Sequence, residues 1–415
     1  MTQTVEQSPV DELDLGVIKE ARRRRRIRRV GAAGATLAAA SVVVTAFLLA
    51  GGGGTNTGAR ARSRPLEPLP GLTGRRLTGP TGLLIVAYGN EGPPFILNVD
   101  RHTVESVRGL GLPLRRATAQ SPLVGSLSPA PGGVLAAVEH ARDQTEFLIA
   151  PDGSVRHIAT VATRAGDNTL PAREADATWV LRWPHRGRCT LRLVPGTRPA
   201  VPVPCGSLAA DTTAGVWIAT AQQQVIVDPL TGRARARVAI TAPAEPSDPV
   251  GDQLFALHED LALESVVSQR INASRGQGRK LSLVNLISGH RRQLVWPSYF
   301  GDIISVVPES HGPLVAVDFG SPAYPGPAQA EDVWMLDTST GKFTHLPAYP
   351  ARVDIKFSDI AWTPDGRLVI IAQGGGRTVL GLWKPGQTTL LLRTVASRDG
   401  YHFVPLAEPA RHGAK

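Results

Sequence analysis

Two cysteines, Cys189 and Cys205, carry the sulfur chemistry of this 415-residue chain. Their context, RCTLRLVPGTRPAVPVPCG, sets a Pro195-Gly196 turn between two short runs of alternating apolar residues, which predicts a β-hairpin. Both lie equidistant from Thr197 in that turn, so their side chains are expected to meet across the strands as a disulfide. Such a bond persists in an oxidising compartment and would add about 3 kcal/mol by restricting the unfolded chain. In a reducing compartment the same two residues would be buried thiols. Two sulfurs without nearby paired histidines do not make a zinc site.

Other residues with chemical potential are thinly spread. His258-Glu259-Asp260 could ligate a cation or move protons, but neighbouring residues on a strand point to opposite faces, and the triplet reads more simply as a surface loop. Asn272-Ala273-Ser274 matches a glycosylation sequon, a short pattern that also arises by chance. Gly374, Gly375 and Gly376 read as a flexible loop between strands. The chain has no Gly-x-Ser-x-Gly elbow, no phosphate-binding Gly-x-x-x-x-Gly-Lys-Ser/Thr and no His-Glu-x-x-His helix. No catalytic residue, metal ligand or cofactor is therefore assigned. Aromatics in loops suggest a surface instead: if Tyr299, Phe300, Tyr324 and Tyr349 gather at one end of the fold, they would form a platform for a peptide or sugar. The competing reading has each ring covering the edge of its own core. The proline- and alanine-rich loops 241–250 and 321–331 are the other candidate contact surfaces.

The elements that must position these residues repeat. From about Leu83 onward, a strand of small and branched residues is followed by a loop, a second apolar run, a tight turn and a closing strand. The best copy, AWTPDGRLVIIAQGGGRTVLGLWKPGQTTLLL, turns at Pro364-Asp365-Gly366 and again at Lys384-Pro385-Gly386-Gln387. A second copy turns at Pro131-Gly132-Gly133 and Pro151-Asp152-Gly153. Three more share an Asp/Asn-x-x-Thr/Ser-Gly turn, at Asp228 to Gly232, Asn285 to Gly289 and Asp337 to Gly341, where the side chain caps the turn and glycine takes positive φ. FILNVDRHTVESV near Asp100 is a degenerate first copy lacking the glycine, and the cysteine hairpin stands in the place of another. Units are expected to start near Leu83, Val134, Thr178, Val216, Gln253, Pro313 and Arg367, a spacing that fits a four-stranded blade. The fold expected is all-β, a propeller of about seven blades.

The Pro-Asp-Gly units, with the later Leu382-Trp383, resemble the repeats of the TolB-like and WD40-like β-propeller superfamily. The resemblance covers most of the chain after Leu83, with good matches at 361–392 and 127–160. The Gly-His and Trp-Asp pairs of true WD40 repeats are absent. The Asp-x-x-Thr-Gly turns are also similar to those of quinoprotein propellers, without the tryptophan that ends those repeats. The resemblance implies a ring of antiparallel sheets whose loops offer a face for protein, peptide or glycan, and no specific activity.

Upstream, residues 30–50, VGAAGATLAAASVVVTAFLLA, carry no charge and follow seven arginines between positions 22 and 29. As a helix this stretch is about long enough for a hydrocarbon core of roughly 30 Å, and flanking arginines stay cytoplasmic. It predicts one transmembrane helix with residues 1–29 as a cytoplasmic tail, 51–80 as a flexible linker and 81–415 as an extracytoplasmic propeller. Cleavage as a signal peptide after the small residues at 50–54 is the alternative. The composition, 42% hydrophobic and 19% charged, suits a folded domain rather than a disordered one. Outside the tail, the arginines behind the net charge of +10 alternate along strands without aromatic interleaving. No nucleic-acid partner is expected, and the pattern reads as a solvated outer face or one resting on anionic lipid or wall polymer.

Together these features point to a single-pass membrane protein with its N-terminus inside. It would present a binding or scaffolding propeller at a bacterial cell envelope. A propeller hydrolase or lyase acting on glycans or peptides, or a transmembrane sensor, would use the same architecture.

Overall fold

The computed structural model describes residues 71–407 apart from 89–93, 113–122, 131, 141–142, 163–167, 174–176, 185–187, 221–222, 240–252, 259, 268–278, 299, 301, 310–311, 322–328, 364, 375–376 and 397–401. The expected transmembrane segment 30–50 and the sequon at Asn272 lie outside the described residues. Within them, no helix is long and apolar enough to cross a membrane.

A two-residue strand, β1 (Arg75–Arg76), precedes seven sheets. Blade 1 holds β2 (Leu83–Tyr88), β3 (Phe95–Asn98) and β4 (Thr103–Ser106). Blade 2 is β5 (Leu123–Ala130), β6 (Gly133–Glu139), β7 (Asp143–Ile149) and β8 (Val155–Ala162). Blade 3 is β9 (Asn168–Pro171), β10 (Thr178–Arg182), β11 (Cys189–Val194) and β12 (Val201–Val203). Blade 4 is β13 (Ser207–Thr212), β14 (Gly215–Ala219), β15 (Gln223–Val227) and β16 (Ala234–Ala239). Blade 5 is β17 (Gln253–Ala256), β18 (Leu261–Val267), β19 (Arg279–Asn285) and β20 (Arg291–Leu294). Blade 6 is β21 (Asp302–Pro308), β22 (Leu314–Ser321), β23 (Gln329–Asp337) and β24 (Lys342–His345). Blade 7 is β25 (Ala351–Trp362), β26 (Leu368–Gly374), β27 (Arg377–Trp383) and β28 (Leu391–Ala396). The last strand, β29 (His402–Ala407), returns to blade 1 and pairs antiparallel with β2, from Leu83↔Ala407 to Tyr88↔His402. Each blade is an antiparallel meander, and the return of β29 closes the ring.

The core lies between blades rather than within any one of them. Seven clusters of buried side chains occupy the seven interfaces. Alternate residues of one strand serve different clusters: in β2, Leu83 and Ile85 face blade 7 while Leu84 and Val86 face blade 2. A middle strand buried on both faces has no polar side, which is why LLIVA, GVWIA and LVIIA run apolar without alternation.

The expected units are in place but out of phase by one strand. Most expected starts coincide with the second strand of a blade, because β26 and its equivalents are the most apolar strands. Gln253 instead begins β17, the first strand of blade 5. The innermost strand of blade 1 comes from the far end of the chain, a pairing no local pattern signals.

Part of the stretch expected as a linker, 51–80, is strand. Arg75 and Arg76 add as a parallel fifth strand to β28, with backbone N–H donation from Arg75 to Leu390 O at 2.9 Å and from Leu77 to Leu392 O at 2.8 Å. Leu77 is buried between blades 7 and 1. Gly74 permits this approach, since a Cβ there would sit 2.3 Å from the Leu390 carbonyl oxygen.

Candidate binding groove

The tight turns build one end of the ring. Asp228 Oδ1 accepts from the N–H groups of Leu230 and Thr231, Asn285 Oδ1 from Ile287 and Ser288, and Asp337 Oδ1 from Ser339 and Thr340. Gly232, Gly289 and Gly341 close them at φ of 70°, 72° and 69°. These side-chain oxygens are engaged in turns, as their spacing implied. In the degenerate first copy Asn98 supplies the cap, to the N–H groups of Asp100 and Arg101, and His102 stands at the glycine position with φ 53°. Asp100 is thereby freed to staple blade 1 to blade 7. It accepts from the N–H groups of Thr81 and Gly82, from the Thr81 hydroxyl and from Arg393 at 3.0 Å. Burial alone would raise its pKa, but these donors hold it below the usual carboxylate range.

The disulfide forms between Cys189 and Cys205, with Cα atoms 5.0 Å apart. Register places Cys189 opposite Val203, so Cys205 lies two residues past its directly facing position and the bridge runs diagonally. It ties the start of β11 to the end of β12, the outermost strand of blade 3.

Beside that bridge runs an open groove of about 770 Å³ on the rim between blades 3 and 4. One wall is Pro202, Val203, Pro204 and Cys205 with Arg188; the other is the turn residues Thr231, Gly232 and Arg233 and the start of β16 from Ala234 to Arg237. Gly232 sets the turn against blade 3, for a Cβ at this residue would come 2.4 Å from the Pro202 carbonyl oxygen. Arg235 is held by Asp228 Oδ2 at 2.6 Å and by Ala214 O at 3.1 Å. That hydrogen bond, with the turn N–H groups, keeps the Asp228 pKa below its usual range. Arg188, Arg233 and Arg237 are exposed and make no ion pair among the described residues. The groove is therefore strongly cationic over a floor of proline, valine and alanine.

In the sequence these arginines read as part of a basic outer face, not as a groove. The signal was RARAR at 233–237, three arginines within five residues at the start of β16. No sequence rule places Arg188 opposite them.

Of the four aromatics expected to form a platform, the two that are described are buried. Phe300 is 5% exposed, packed between blades 5 and 6, and Tyr349 is 7% exposed, packed between blades 6 and 7. Both rings cover core edges; Tyr299 and Tyr324, with loop 241–250 and most of 321–331, lie outside the described residues. Of the triplet at 258–260, Asp260 accepts from Asn285 Nδ2 at 2.6 Å in a turn, and Glu259 is not described.

Carboxylates converge in blade 6, but inside it. Asp318, Glu331 and Asp332 are 3%, 1% and 4% exposed, which leaves no access for a substrate. Asp332 accepts from Ser298 Oγ at 2.6 Å, Trp334 Nε1 at 2.8 Å and His345 Nε2 at 2.7 Å. Burial pushes its pKa up, and these hydrogen bonds more than offset that. Asp318 has no such help: desolvation first, then the charges of Glu331 and Asp332, raise it well above 3.8. Among the described residues no group of histidine, cysteine, aspartate and glutamate could hold a metal ion.

Seven blades in a ring closed by β29 make this chain a β-propeller. No family model matches it, and no curated protein does. Among solved structures it is similar to TolB from Acinetobacter baumannii, at 10% identity and TM-score 0.40 over 77% of this chain and 66% of that one. A chain of the Mitotic Checkpoint Complex is similar at 14% identity and TM-score 0.43, covering 80% of this chain and 95% of that one. A prolyl endopeptidase gives 11% identity and TM-score 0.49, over 76% of this chain and 49% of its own. These likenesses describe the fold alone.

Proposed function

We propose that this protein is a membrane-tethered propeller acting as a binding module at the outer side of a bacterial cell envelope. The observation that carries the binding role is the arginine-lined groove between blades 3 and 4. The membrane tether rests on the uncharged stretch 30–50 behind its arginines, and the exterior location on that charge asymmetry together with the Cys189–Cys205 bond. Residues 51–70 would span up to roughly 70 Å if fully extended, enough to lift the ring clear of a bilayer. The groove lies across the ring from the entry at β1, with three blades on either side. A hydrolase is less well supported, because the carboxylates that converge are sealed between blades.

Protease shaving of intact cells, with a tag at each end of the full chain, tests this reading. Loss of the C-terminal tag with survival of the N-terminal one on a short membrane fragment is expected. A protected C-terminal tag would place the ring in the cytoplasm and end the envelope assignment.

A further inference from the structure

We infer that the groove between blades 3 and 4 receives an acidic peptide in extended conformation, pairing its backbone with the free edge of β16. This deepens the binding role proposed above and does not depend on the side of the membrane.

Three observations combine. First, β16 is the last strand of its sheet, bonded to β15 on one side only, so its other edge presents unpaired backbone groups along the groove. The facing edge, β12, carries Pro202 and is followed by Pro204, whose missing N–H groups unfit it for pairing. The groove is therefore directional: one wall can hydrogen-bond a strand and the other offers only apolar contact. Second, this ring already accepts an added strand at the equivalent place, since β1 pairs with β28, the outermost strand of blade 7. Third, Arg188, Arg233 and Arg237 surround the groove without partners among the described residues, whereas Arg235 is neutralised by Asp228.

Arginines on an edge strand also discourage pairing between like copies, which is a sufficient reason for them on a bare edge. That same repulsion selects an incoming strand of opposite charge. Side chains alternate along an extended peptide, so carboxylates at every second position would meet the guanidiniums while apolar residues between them rest on Pro202, Val203 and Ala234. A phosphate polymer would satisfy the charges but could use neither the backbone edge nor the apolar floor.

The test uses full-length protein in detergent micelles and a fluorescein-labelled peptide of about eight alternating glutamate and valine residues, roughly one strand in length. Anisotropy should report saturable binding. Affinity should fall at least about tenfold, or 1.4 kcal/mol, both in Arg233→Glu/Arg237→Glu and when alternate peptide nitrogens are methylated. The two substituted arginines are exposed, so folding is preserved, and an unchanged melting temperature confirms it. Failure of the peptide to bind overturns the inference. So does equal affinity for the methylated peptide, or tighter binding of polyphosphate, since either makes the groove a simple anion site. Because binding is measured in micelles, these outcomes are independent of the tag experiment.

Discussion

Single residues in this ring are constrained by contacts that local sequence understates. Gly232 and Gly289 occupy the same slot of the same turn, with φ of 70° and 72°. A Cβ on Gly289 meets nothing within 4 Å, whereas one on Gly232 collides with the Pro202 carbonyl of the next blade. Gly289→Ala should therefore cost only the left-handed backbone penalty of about 1–2 kcal/mol. Gly232→Ala should cost clearly more and also perturb the groove, a difference that paired denaturant titrations would read. Asp318 makes the opposite case. Its Oδ1 meets no hydrogen-bond donor among the described residues, and its folded pKa is raised by burial and by two acidic neighbours. The native state thus holds the proton more tightly than the unfolded chain, and stability falls as pH rises above 3.8 toward the folded value. Asp318→Asn, which cannot ionise, should flatten that fall. Thermal melts across pH in which the variant kept the wild-type slope would show that another group is responsible.

Among the elements, blade 3 depends on its bridge. Its outermost strand β12 has three residues, one of them Pro202 without an N–H, and a free outer side. The disulfide closes a separation of 16 residues, for which the chain-entropy model gives about 3 kcal/mol. Replacing both cysteines with alanine should lower stability by that order, and hydrogen exchange should localise the loss to 189–205 and the adjoining groove wall. Uniform loosening of all seven blades would contradict this placement. The hairpin was legible in the sequence because Pro195-Gly196 marks its turn and apolar alternation marks its strands. Its register was not: the midpoint of the cysteines implied direct opposition, yet Cys189 pairs with Val203, since loop residues between 194 and 201 are unequally shared by the two strands. Turn slots were legible for the same reason as the hairpin, because positive φ demands glycine and capping demands a short acceptor. Where His102 replaces the glycine, that signal weakened and the copy looked degenerate.

At the scale of the whole molecule, closure decides what the parts can do. β29 completes blade 1, β1 extends blade 7 and Asp100 links the two, so both ends of the described chain are fastened at one seam. The groove lies across the ring from that seam, an orientation that follows from the number of blades. Sequence by itself determined the all-β class, the blade grammar, the turn residues and the disulfide partners, because each depends on neighbours a few residues away. Tertiary structure alone decided the phase of the blades, the fate of the aromatics and the site. Phe300 and Tyr349 became core because an adjacent blade covers them. Arg188 met Arg233 and Arg237 because packing between separate sheets, driven by burial of the apolar residues beneath them, brings distant segments to one rim.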